Sequence, residues 1–139
     1  MSYLLDTNVL SELTRRRPDP KVVAWFGRTE EASLHLSVLS LGELRLGTEK
    51  LKDVARRERL RVFLERDLPA RFEDRLLAVD AAVADRWGRL LAQVERSVPA
   101  IDSLLAATAL AHGLRVVTRN VRDFRFPGLD VVNPWEIGG

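Results

Sequence analysis

The sequence predicts an α/β domain with a central, mostly parallel five-stranded sheet, and three observations carry that expectation. Short apolar runs, Tyr3-Leu4-Leu5 foremost, alternate along the chain with amphipathic segments. The length of 139 residues suits a single domain, 1–139, large enough to bury a sizeable core. Apolar residues at 46% and charged residues at 30% exclude a disordered or fibrous chain. No apolar run approaches the ~20 residues that a membrane-spanning helix needs.

Each element follows from its local pattern. Tyr3-Leu4-Leu5 reads as the first strand, and Asp6-Thr7-Asn8 offers capping side chains before a short helix, Val9 to Leu13. Pro18 and Pro20 mark a turn, after which Val22, Val23, Trp25 and Phe26 give a second helix. Ser33-Leu34-His35-Leu36-Ser37 alternates as a strand does, and a helix follows to about Leu51. A charged helix runs from Val54 to Leu68 and ends before Pro69. Leu76 to Val79 is the third strand. Asp80 then caps a helix whose apolar stripe is Val83, Ala84, Trp87, Leu90, Leu91 and Val94, stopped by Pro99. Ile101 to His112 forms the next helix, closed by Gly113. Arg115 to Thr118 and Leu129 to Val132 complete the strands. No internal repeat, low-complexity tract or linker interrupts the series.

Composition narrows the chemistry. Cysteine is absent, which excludes disulfides, thiolate zinc sites, iron–sulfur clusters and cysteine nucleophiles. The first residues lack the basic and long apolar regions of a secretory signal, so the expected compartment is the cytoplasm. Lys+Arg 22 against Asp+Glu 20 leaves a net charge of +2, and the basic side is arginine apart from Lys21, Lys50 and Lys52. Arginine forks match phosphate bidentately, which suits a nucleic-acid partner; an ordinary solvated surface has the same composition.

Three acids fall where a parallel sheet gathers ligands, outside the carboxyl ends of its strands. Asp6 ends the first strand, Asp102 opens the helix leading into the fourth, and Glu43 lies on the helix after the second with Ser40 and Gly47 on its own face. Asp123 follows the Thr118-Arg119-Asn120 turn at the end of the fourth strand. Each has a plainer reading: Asp6 and Asp102 as helix caps, Glu43 as an exposed glutamate, Asp123 as the start of a turn. Their joint placement is what points to chemistry. Carboxylates without histidine or cysteine suit a hard divalent ion, Mg²⁺ or Mn²⁺. Such an ion activates water and stabilises charge on a phosphate, so the chemistry indicated is phosphodiester hydrolysis without a covalent intermediate.

At these residues the sequence resembles the PIN-domain ribonucleases, specifically the VapC-type toxins of bacterial type II toxin–antitoxin pairs. The resemblance rests on Leu4-Leu5-Asp6-Thr7-Asn8-Val9-Leu10, on Ser37 through Gly47, and on Pro99-Ala100-Ile101-Asp102-Ser103 through Ala109. Val116-Val117-Thr118-Arg119-Asn120-Val121-Arg122-Asp123-Phe124 and the closing Pro127 through Trp135 extend it over essentially the whole chain. It implies a three-layer α/β/α sandwich with strand order 3-2-1-4-5, which sets Asp6 beside Thr118. Asp6 and Asp102 would be direct Mg²⁺ or Mn²⁺ ligands, and Glu43 would bind a second ion or orient the attacking water. Thr118 matches a hydroxyl supporting the first carboxylate, with Asn8 and Ser40 as further supports. Where many members carry aspartate in a Thr-x-Asp turn, this chain has Asn120, and Asp123 would share that catalytic role. The implied partners are an RNA substrate (transfer, ribosomal or messenger), a second copy of the chain in a homodimer, and a VapB-like antitoxin. The antitoxin's C-terminal arm would cross the site in a hetero-oligomer.

Arg15-Arg16-Arg17 follows the first helix and is the candidate RNA-binding cluster; a second cluster, Arg56 to Arg61, is interleaved with acids. His35 and His112 have no metal-ligand spacing or nucleophile, and Trp25, Trp87 and Trp135 are too dispersed to form a base-stacking platform. An aspartyl-phosphate enzyme fits poorly, because Asn8 stands where its second acid belongs and no lysine follows Lys52. A non-catalytic PIN-like module binding RNA or protein remains the alternative, supported by Asn120 alone.

Overall fold

Residues 1–137 are described by the structure, a computed structural model. Its sheet comprises β1 (Tyr3–Leu5), β2 (Leu34–Ser37), β3 (Leu76–Leu77), β4 (Arg115–Val117) and β5 (Val131–Val132). All neighbours pair in parallel, in the order β3-β2-β1-β4-β5 that the resemblance implied. The reversal of chain progression lies between β1 and β4, where Leu5 stands opposite Val117. That is the crevice where open α/β sheets place their ligands.

Helices cover both faces: α1 (Thr7–Leu13), α2 (Pro20–Gly27), α3 (Val38–Glu49), α4 (Val54–Val62) and α5 (Leu68–Arg71), then α6 (Ala81–Ala92) and α7 (Ala100–His112). Strand side chains alternate between two cores, as the two-residue period requires. Leu5, Leu34, Leu36 and Val117 pack with Val9, Leu10, Trp25, Leu44, Leu64 and Phe72 on one side. Leu4 and Val116 pack on the other with Val83, Leu90, Leu105 and the small residues Ala106, Ala107 and Ala109. Each fully buried leucine contributes about 1.5–3 kcal/mol relative to exposure. The alanines let α7 approach the sheet closely, and Trp87 ties α6 to α7 by donating its indole N–H to Ser103 Oγ (2.9 Å).

Caps set the helix starts. Asp19 accepts from the Lys21 N–H, Ser37 from Leu39, Asp53 from Arg56 and Asp80 from Val83. At the other end of α7, Gly113 takes φ +66°, a left-handed conformation that costs a residue with a Cβ.

Two predicted stops fall elsewhere. Pro69 does not end the charged helix: α4 passes into a π-helical stretch, Phe63–Asp67, and the chain resumes as α5 with Pro69 in its first turn. The wider turn resets the register, so proline's missing N–H falls where no intrahelical bond is due. Pro99 does not stop α6 either; that helix ends at Ala92, and Pro99 occupies the N-cap of α7. Within the α6 stripe Val83 and Leu90 are buried, whereas Ala84 is exposed. The third and fifth strands are shorter than the apolar runs suggested.

Candidate active site

The acidic end of the sheet is organised by Asp6, whose backbone N–H donates to the Val117 carbonyl (2.9 Å) and so prolongs the β1–β4 pairing by one residue. Only 6% of Asp6 is exposed. Its Oδ1 accepts from the Thr7 N–H (2.7 Å), capping α1, while Oδ2 accepts from Thr118 Oγ1 (2.8 Å) and Asn8 Nδ2 (3.3 Å). The cap and the site are therefore the same residue. Thr118 is fully buried; its hydroxyl also accepts from Asn8 Nδ2 (3.3 Å) and from the Asn120 N–H (3.0 Å). Asn8 Oδ1 in turn accepts from the Arg119 N–H (3.3 Å), which closes a network between the first turn of α1 and the loop after β4.

Glu43 sits half-buried on α3 and turns toward α1, where Thr7 Oγ1 donates to its Oε1 (2.6 Å). The exposed-glutamate reading is thereby corrected: a helix whose ends dock on β2 and α4 must aim one face at the neighbouring α1. Asp102 occupies the first turn of α7, but no capping hydrogen bond engages its carboxylate, so its reading as a cap is also corrected.

Burial holds the Asp6 carboxyl above the ordinary aspartate range, against hydrogen bonds from Thr118 and Thr7 that pull it down; Glu43 and Asp123 add repulsion. Asp102 is pushed up to about 6, first by burial and then by the charges of Asp6, Asp123 and Glu43. These four acids therefore share one electrostatic neighbourhood. Asp6, Asn8, Glu43, Asp102, Arg119 and Asn120 line one open cleft of about 620 Å³, which continues over Leu44, Leu51, Leu60 and Phe63.

Other sequence candidates lie around this centre. Asp123 is exposed on a 3-10 turn, Val121–Phe124, and does not line the cleft; its influence on Asp6 and Asp102 is through its field. Ser40 is fully buried with an unpartnered hydroxyl and lies outside the cleft lining. Arg15 lines the cleft and pairs with the buried Glu12 (3.2 Å), Arg16 borders an adjoining depression with Arg56 and Arg59, and Arg17 is exposed and lines neither. Sequence reasoning missed the roles of Thr7 and Trp135. Thr7 was read only for its capping side chain, between the site candidates Asp6 and Asn8, and Trp135 became part of the cleft wall only through folding.

The donor set is all oxygen, which suits a hard ion. Among the described residues no three histidine, cysteine, aspartate or glutamate side chains lie together so as to hold a metal ion by themselves. A Mg²⁺ ion here would take one or two carboxylates and complete its shell with water and substrate phosphate oxygens.

Comparison with known proteins bears on the family and the fold. The PIN domain family matches residues 3–128. The chain is 38% identical over 136 residues to the VapC ribonuclease Y4jK of Sinorhizobium fredii, covering 96% of this chain and 97% of that protein. It is 35% identical over 135 residues to toxin FitB of Neisseria gonorrhoeae, covering 95% and 97%. The crystal structure of FitAcB from Neisseria gonorrhoeae superposes with a TM-score of 0.91 at 34% identity, covering 97% of this chain and 99% of the other.

Proposed function

The chain belongs to the PIN-domain family, and from that premise we propose that it is a VapC-type toxin, a divalent-metal-dependent endoribonuclease. The single observation that carries this reading is the acidic cleft, in which the Asp6 and Asp102 carboxyls are raised first by burial and further by the charges of Glu43 and Asp123. Like charges at one sheet end cost stability unless protons or a cation offset them. That cost is accepted where a cation is part of the function.

Asp6 and Asp102 would hold Mg²⁺, with Mn²⁺ as a substitute, and Glu43 is placed to bind a second ion or orient the attacking water. When bound, the ion lowers the pKa of a coordinated water and neutralises charge building on the phosphate. Thr118 and Asn8 fix the Asp6 carboxylate by hydrogen bonds to Oδ2, so it need not reorganise during the reaction. Thr7 restrains Glu43 through Oε1, which leaves Oε2 to take a proton from water. Asn120 offers a neutral carbonyl oxygen at the fourth acidic position, with Asp123 supplying charge from outside the cleft. Arg15 and Arg16, at the cleft and the depression beside it, would meet phosphates further along the strand. As partners we propose a VapB-like antitoxin and a second copy of the chain, and as compartment the cytoplasm. No helix of the described residues is long and apolar enough to cross a membrane.

The test is cleavage of structured RNAs by the purified, antitoxin-free protein in Mg²⁺, Mn²⁺ or EDTA, beside Asp6→Asn. Metal-dependent cleavage that falls by about 100-fold or more in the variant is the expected result. Equal cleavage by both proteins would overturn the role of Asp6.

A further inference from the structure

Arg119 follows Thr118 directly, and its backbone N–H is fastened to Asn8 Oδ1 in the network that holds Asp6. Its side chain reaches into the loop wall, where the guanidinium carbon lies over the Trp135 ring at 5.1 Å from the centroid. Both residues line the cleft with Asp6, Glu43 and Asp102. Among the described residues no ion pair or hydrogen bond engages the Arg119 guanidinium, although the residue is exposed. The neighbouring cations differ. Of the other arginines lining the cleft, Arg15 shares its charge with Glu12, and among the described residues Arg56 has neither an ion pair nor an aromatic ring beneath it.

A cation–π contact restrains a guanidinium without neutralising it. It leaves the guanidinium N–H donors free for phosphate and removes rotamer freedom that would otherwise be lost on binding. Trp135 itself is held, being half-buried against the core that contains Leu5 and Val117. An arginine restrained on a ring and without an ion pair, beside acids that repel a polyanion, offers that polyanion a counter-charge at the cleft. Resting on the ribonuclease reading, we propose that Arg119, held over Trp135, is the substrate-positioning residue that grips an RNA phosphate flanking the one to be cleaved. Its planar fork matches two phosphate oxygens. Trp135 acts through Arg119 as its positioning partner.

The experiment measures binding of a labelled, mixed-sequence single-stranded RNA to an Asp102→Asn protein across a salt series. Arg119→Gln is expected to weaken binding about 10-fold and to flatten the log K against log salt slope by about 0.7, one phosphate contact. Arg119→Lys restores the slope but not the affinity, because a point charge replaces the fork. Trp135→Phe keeps the parental affinity and Trp135→Leu lowers it, while Arg28→Gln, an exposed arginine outside the cleft, changes neither quantity. Should Trp135→Leu fail to fold, Arg119→Gln decides alone. Parental affinity and slope in Arg119→Gln, or an equal loss in Arg28→Gln, overturns the assignment. Cleavage assays on the otherwise unaltered chain separate the two readings. RNA left intact by the parent in every metal defeats the ribonuclease reading while the binding series still judges Arg119. Cleavage with a parental KM in Arg119→Gln defeats the Arg119 assignment alone; a KM raised about 10-fold with little change in kcat supports it.

Discussion

Thr118 Oγ1 donates to Asp6 Oδ2 while accepting from Asn8 Nδ2 and the Asn120 N–H, which uses its one donor and both lone pairs. Thr118→Val keeps the shape and removes all three bonds. It should raise the Asp6 carboxyl further, weaken Mn²⁺ binding about 10–100-fold and lower stability by about 1–3 kcal/mol. Calorimetric titration and thermal denaturation check both, and unchanged Mn²⁺ affinity would remove Thr118 from the site. Asp102 has a distinct pH signature. Its carboxyl lies near 6 in the folded chain against an ordinary 3.8, so the folded state binds its proton more tightly than the unfolded state. The resulting stabilisation is complete below about 3.8 and is lost as pH rises through about 6. In EDTA, Asp102→Asn should therefore raise the melting temperature at pH above 7 and lose that advantage toward pH 4. In the parent protein, Mn²⁺ binding should weaken as pH falls through 6, because protons compete for the same carboxylate. A melting temperature unmoved by the substitution at either pH would sink this account.

At the scale of elements, the turn from α7 into β4 determines whether Thr118 arrives beneath Asp6. Gly113 makes that turn at φ +66°, and a Cβ there would meet nothing within 4 Å, so its constraint is conformational alone. Gly113→Ala should cost about 1–2 kcal/mol. Gly88, exposed within α6 and equally unhindered, gives the opposite sign: Gly88→Ala should stabilise by about 0.5–1 kcal/mol. Urea denaturation of the two variants measures both, and equal signs would mean that local backbone preference does not govern these positions. The α4–α5 region shows the limit of local reading. A proline after a charged helical run looks like a terminus, yet the π-helical turn at Phe63–Asp67 lets the chain carry on. That choice depends on Leu64, Leu68 and Phe72 all reaching the same core, a fact about packing that no local pattern records.

For the whole molecule, the proposed function requires acids that are far apart in sequence to meet at one cleft. Expression of the free chain should arrest growth, and Asp102→Ala should relieve the arrest at equal protein level; undiminished toxicity in that variant would count against the mechanism. Much of this was legible beforehand. The strand positions followed from apolar runs, the caps of α1 and α6 from Asp6 and Asp80, and the Gly113 terminus from residue type, because each depends on forces acting within a few residues. The resemblance then supplied the strand order, which the sheet has, and the roles proposed for Asp6, Glu43 and Asp102. Less accessible were the orientation of Glu43 toward Thr7, the withdrawal of Ser40 and Asp123 from the cleft lining, and the pairing of Arg119 with Trp135. By itself the sequence determined which chemistry was available: no thiols, and carboxylates that a parallel sheet gathers at one end. Only the tertiary structure decided which acids share a field and which arginine rests on an aromatic ring beside them, because charge interactions depend on distance and burial, and both are settled when distant segments pack together.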